Sequence, residues 1–132
     1  MPKLFNSLAF ILLIVSSHAD TIPPNHATRM KAGTDLFKKS IRPALIENCL
    51  KCHGDEKVRS GLDISTRELL LEGGETEAAI NLERPEKSYL LSLIRHEEEP
   101  EMPPKNAKLP DSLVSDFQKW IALGAPYDKP LL

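Results

Sequence analysis

Apolar residues fall into four periodic runs separated by polar and proline-rich stretches. In "TDLFKKSIRPALIENC", which begins at Thr34, Phe37, Ile41 and Leu45 recur every four residues and Cys49 is next in the series. That is one face of a helix. Pro43 lies inside the pattern; it has no N–H and crowds the preceding turn, so a kink or a restart is expected there. In "LDISTRELLLEGG", Ser65 followed by Glu68 three residues on is a capping-box pattern and Gly73-Gly74 supplies the stop, so a short helix is expected between them. "PEKSYLLSLIRH", opening at Pro85, groups Leu90, Leu91 and Ile94 on one side and brings Arg95 near the end, where a cation suits the helix dipole. From about Asp111 to Leu123, the residues Leu113, Phe117, Trp120 and Ile121 form a last stripe, closed by Gly124 and Pro126. Between the third and fourth runs, "EEEPEMPPKNAKLP" holds too many prolines for a helix and reads as a loop with much extended backbone. Nothing alternates like a strand over a useful length. The pattern therefore predicts an all-α fold with long loops and no internal repeat.

The first residues change the picture of where the chain works. "MPKLFNSLAFILLIVSSHAD" has Lys3, an unbroken apolar run from Leu8 to Val15 and a small-residue exit at Ser17-His18-Ala19, the layout of a secretory signal peptide over residues 1–19. The run is well short of the roughly 20 apolar residues a spanning helix needs, so cleavage and no stable membrane insertion afterwards are expected. No cysteine follows the run and no arginine pair precedes it. Export by the unfolded route to the periplasm is the reading. Residues 20–33 are mixed, with two prolines, and read as a flexible leader; 34–127 would be the domain and 128–132 a tail. With 17 basic and 19 acidic side chains, net −2, the chain has no basic footprint for nucleic acid or an anionic membrane. One small domain is on the low side for a self-sufficient core, and two cysteines could close only one very short loop. Something else should help to hold it together.

Both cysteines lie in "IENCLKCHGDEK", as Cys49 and Cys52, with His53 directly after the second. Two thiols one helical turn apart can each add to a vinyl group of the same porphyrin, and the next residue then places an imidazole under the iron; the pattern is a haem-attachment signature. A structural zinc site wants four ligands, usually as two such pairs, and there is no second pair. A thioredoxin-like thiol pair wants a βαβ setting, which the patterning lacks. The iron of a c-type haem is ordinarily held on its second side by methionine or histidine. Beyond the signal segment only Met30, in the leader, and Met102, between Pro100 and Pro103, remain. Met102 is the expected sixth ligand, because stiffened non-helical backbone can hold a thioether against a ring face; His96 and His26 are the runners-up. The binding set is thus Cys49, Cys52, His53 and Met102 for one covalently attached haem c, with His53 and Met102 on the iron. Arg67 and Lys105 are candidate partners for the propionates. Glu97, Glu98, Glu99 and Glu101 could dock a basic partner, although a charge run is more often a solvated face. Trp120 reads as core. No serine-histidine-acid set, glycine-rich phosphate loop or paired-carboxylate pattern argues for an enzyme.

Together "LFKKSIRPALIENCLKCHG", "SGLDISTRELLLEGGE", "RPEKSYLLSLIRHE", "MPPK" and "LVSDFQKWIALGAP", in that order, resemble the planctomycete-type cytochrome c domain, a branch of the class I cytochromes c, over about residues 34–127. The stretch "TEAAINLERPEKS" departs from the family, which tends to carry a Gly-Pro-like turn and a further glycine there. The resemblance implies the cytochrome c fold, a few helices round one covalent haem with the first and last helices crossing. It also implies thioethers on Cys49 and Cys52, His53 as the proximal ligand and Met102 as the distal one. The expected function is that of an exported monohaem carrier of single electrons between periplasmic redox proteins, bound weakly and transiently. The alternative is a haem sensor or ligand-binding module with an open or displaceable sixth site. Because the haem would supply missing core, the haem-free chain is expected to be largely unfolded. Circular dichroism of haem-free protein checks this, and a cooperative, native-like melt would contradict it.

Overall fold

The first apolar run is longer in space than in pattern. A computed structural model of the protein describes residues 22–132, and the signal segment expected at 1–19 lies outside the described residues. Helix α1 spans His26–Leu36, passes into a π turn at Phe37–Ile41 and continues as α2, Arg42–Asn48. The π turn is the physical answer to Pro43. The amide of Arg42 reaches back five residues to the Phe37 carbonyl, so the chain widens before the proline and restarts with Pro43 in the first turn of α2, where no donor is required.

The flexible leader drawn over 20–33 is corrected: from His26 onward it is helix. Helix α1 lacks a clear apolar stripe, which is why periodicity missed it. It is held by local fit instead. A Cβ at Gly33 would sit 2.7 Å from Pro126 Cγ, so the glycine lets α1 close on the chain beyond the last helix. Arg29 Nη2 donates to the Ala122 carbonyl at 2.6 Å.

The other helices are α3, Arg67–Glu72, α4, Tyr89–Ile94, and α5, Asp111–Ala122. The cap of α3 falls one residue later than the capping-box pattern places it. Asp63 takes the Ser65 amide at 2.8 Å, and the Thr66 hydroxyl then accepts from Leu69 N at 3.2 Å. Gly73, at φ 79°, stops the helix. The third run is divided. Pro85–Lys87 is a 3₁₀ turn, Ser88 is extended and buried, and its hydroxyl accepts from the Asn81 amide at 2.9 Å, so α4 begins only at Tyr89.

The purely helical expectation is also corrected, in a small way. Strands β1, His53–Gly54, and β2, Lys57–Val58, form an antiparallel ladder with His53 opposite Val58. Two residues per strand are too few for a period of two to show in sequence.

The core is the meeting of the π turn, α2 and α5. Phe37, Ile41, Leu45, Phe117, Trp120 and Ile121 are buried, with Ile64, Leu70 and Leu91 closing the sides. The Phe37 ring stacks on Tyr127 with centroids 4.3 Å apart and on Trp120 at 5.8 Å, and Trp120 Nε1 donates to the Pro126 carbonyl at 2.9 Å. Fully burying an aromatic of this kind is worth about 1.5–3 kcal/mol, with roughly 0.5–1.5 more for each well-placed ring pair.

The segment set apart as a tail, 128–132, is part of the domain. Arg42 donates to the Asp128 carboxylate and the Lys129 and Pro130 carbonyls at 2.8–3.0 Å, Leu131 N donates to Ser65 O at 2.8 Å, and the Leu131 side chain is buried. Among the described residues no helix is long and apolar enough to cross a membrane.

A methyl group at Gly33 tests the close approach of α1. Gly33→Ala is expected to lower the stability of the haem-loaded protein by about 1–3 kcal/mol, as overpacking does, read from the midpoint of denaturant unfolding. An unchanged midpoint would mean that α1 does not seat against Pro126.

Candidate haem-binding site

Helix α2 carries the chain directly into the cysteine motif. Cys49 caps its C-terminus and donates to Leu45 O at 3.0 Å; the amides of Cys52 and His53 then both point to the Cys49 carbonyl, at 3.1 and 3.0 Å. One continued turn therefore brings Cys49, Cys52 and His53 together, in the order the spacing predicts. Neither cysteine is in a disulfide. Burial, with Cys52 beside it, pushes the Cys49 thiol up to about 12, so in the folded chain it stays protonated at neutral pH.

His53 leaves the turn at the start of β1 and is fixed from two sides. Its carbonyl accepts from Ile64 N at 2.8 Å, while its ring nitrogen Nδ1 lies 3.3 Å from the Leu62 carbonyl. A carbonyl only accepts, so the proton belongs on Nδ1, and Nε2 is left with its lone pair for a further partner. Periodicity and motif spacing did not identify the Leu62–Ile64 segment as part of the site. The one available signal was the apolar Leu62 and Ile64 placed just after a glycine.

Met102 is on a different element, the loop between α4 and α5. Its amide donates to Leu93 O at 3.1 Å, its carbonyl faces His96 Nε2 at 3.1 Å, and its side chain leans half-buried on the core. Cys49, Leu50, Leu62, Leu71 and Leu90 are half-buried in the same manner. Cys49 and Leu50 lie in the motif turn and Leu62 in the segment that faces His53, so the chain beside the motif offers partly open apolar side chains that a flat apolar macrocycle could cover. With two thiols one turn apart and an imidazole whose second nitrogen is already engaged, the residues fit a haem.

The runners-up have other work. Both ring nitrogens of His96 face protein atoms, Nε2 the Met102 carbonyl and Nδ1 the Glu101 carboxylate at 3.5 Å. Met30 packs on the far end of α5, where its sulfur would be 3.0 Å from a Cβ at Gly124, and His26 is exposed on α1 beside it. Arg67, a candidate propionate partner, instead donates to the carbonyls of Gly124 and Ala125 at 2.9 and 3.1 Å, which suits a cation at a helix C-terminus. Lys105 is exposed in a turn at φ 61°. Trp120 is fully buried, as the apolar stripe predicts. Among the described residues no three or more His, Cys, Asp or Glu side chains gather as a metal-ion site.

The family model described as Planctomycete cytochrome C matches residues 49–106, from the first cysteine through the Met102 loop. No curated protein and no solved structure matches the chain. The two cysteines are spaced as in a haem-binding motif, and the family points to electron transfer rather than catalysis. Over residues 49–106 the chain thus carries the signature of the planctomycete cytochromes c, the family its motifs resemble, and that signature makes a haem-binding protein the reading of the site.

Proposed function

We propose that the protein is an exported monohaem cytochrome c that carries single electrons between periplasmic redox partners. The observation that carries the reading is the Cys49–Cys52–His53 turn with the His53 ring already oriented by the Leu62 carbonyl. Bound haem supplies an iron that alternates between ferric and ferrous. The chain's own residues do the rest. Cys49 and Cys52 would hold the macrocycle through thioethers. His53 would bind iron through Nε2, its Nδ1–H held by the Leu62 carbonyl so that the ring neither rotates nor loses basicity. Met102 would close the opposite side, raising the potential relative to a second histidine. His53 and Met102 would both hold the iron from hydrogen-bonded backbone, so that little would have to move when an electron arrives or leaves. Partner contacts of such carriers are small and short-lived.

The test is the optical spectrum of haem-loaded protein, wild type and Met102→Ala, with and without CO. The ferric wild type is expected to show the weak far-red band of sulfur-ligated haem, and Met102→Ala to lose it and, once reduced, to bind CO readily. Wild type that binds CO as readily as the variant would place an open sixth site at the iron and favour a sensor or ligand-binding module over a carrier.

A further inference from the structure

Helix α4 ends in an unusual choice of residue. The amide of Glu97 bonds to Ser92 O at 3.0 Å and that of His96 to Leu93 O at 3.1 Å, the paired 6→1 and 5→2 bonds of a Schellman turn. The residue that must turn left-handed in this motif is His96, at φ 58°. Glycine is the usual occupant, since a side chain there crowds the backbone.

The ring turns back over the loop that follows. The side chain is only 16% exposed, and Nε2 lies 3.1 Å from the Met102 carbonyl, with Nδ1 toward Glu101. Nε2 must carry the proton, because its partner is a carbonyl. The Leu93 carbonyl accepts both the His96 amide and the Met102 amide, each at 3.1 Å. Both main-chain polar groups of Met102 are therefore held by the end of α4, its N–H by Leu93 and its C=O by His96, and Pro103 beside it is buried. The point from which the thioether departs is fixed, although the loop itself is exposed from Glu97 to Glu101.

We propose that His96 is a positioning residue for the sixth ligand: it clasps the Met102 carbonyl and so keeps the thioether on the iron. This rests on the reading of Met102 as that ligand.

The experiment compares haem-loaded wild type, His96→Gly, His96→Gln and Met102→Ala by thermal unfolding, by the ferric far-red band and by CO titration of the ferrous protein. Glycine keeps the left-handed turn but removes the whole ring, with its contacts to the Met102 carbonyl and to Glu101, so His96→Gly is expected to show a weakened far-red band and to bind CO about five- to tenfold more tightly, as loss of one hydrogen bond on a competing ligand implies. Glutamine restores an N–H donor at similar reach and is expected to return the band toward wild type. If His96→Gly also loses thermal stability, the comparison of the two variants below both melting points decides: recovery of the band in His96→Gln supports the clasp, and equal loss in both overturns it. A wild-type band and CO affinity in His96→Gly overturns the proposal while leaving Met102 as ligand. If wild type and Met102→Ala do not differ, the ligand reading fails and the clasp falls with it.

Discussion

The stack of Phe37 on Tyr127 is the contact on which the site depends. It pins the π turn, and with it the direction in which α2 delivers Cys49. It also holds Tyr127, whose hydroxyl donates to the Ile64 carbonyl at 2.9 Å; burial, with Cys49 nearby, pushes that hydroxyl's pKa up, so it remains a donor. Ile64 in turn gives its amide to the His53 carbonyl, and Leu62, two residues before it, faces the imidazole. The path from an aromatic pair to the orientation of the His53 ring is thus three short contacts. Buried ring packing at about 1.5–3 kcal/mol per side chain outweighs surface ion pairs such as Lys108 with Asp111, worth under about 1 kcal/mol. The architecture is set from inside.

The two ends of the described chain meet at this core. Arg29 on α1 and Arg67 on α3 both reach carbonyls at the C-terminal end of α5, and Arg42 grips Asp128, Lys129 and Pro130. Guanidinium groups are suited to this because one planar fork can serve two carbonyls at once. Arg67 thereby commits its Nε and Nη2 donors to the chain end.

Long apolar stripes were legible in the sequence, since burial of one helix face leaves a periodic trace: the run from Asp111 and the series Phe37, Ile41, Leu45 both became helices, and Pro43 marked its own disturbance. The cysteine motif was legible because covalent chemistry fixes its spacing. What lay hidden was decided by fit or by hydrogen bonds between distant residues. Helix α1 has no stripe and depends on a glycine that lets it approach Pro126. The cap of α3 moved to Thr66 because Asp63 had already taken the neighbouring amide. Arg42 left no periodic sign that it would bind the last residues, and nothing in a lone histidine at a helix end announces a left-handed turn that folds its ring over Met102.

The central claim is that Cys49 and Cys52 bind one haem covalently. The most direct measurement is the intact mass of wild type, Cys49→Ala, Cys52→Ala and the double variant, each matured with haem and then denatured and extracted with acidified solvent. The account predicts a wild-type chain that keeps the mass of one haem, single variants that keep it through the remaining bond, and a double variant that loses it. A wild-type chain stripped to its polypeptide mass, or one carrying haem without either cysteine, would contradict it.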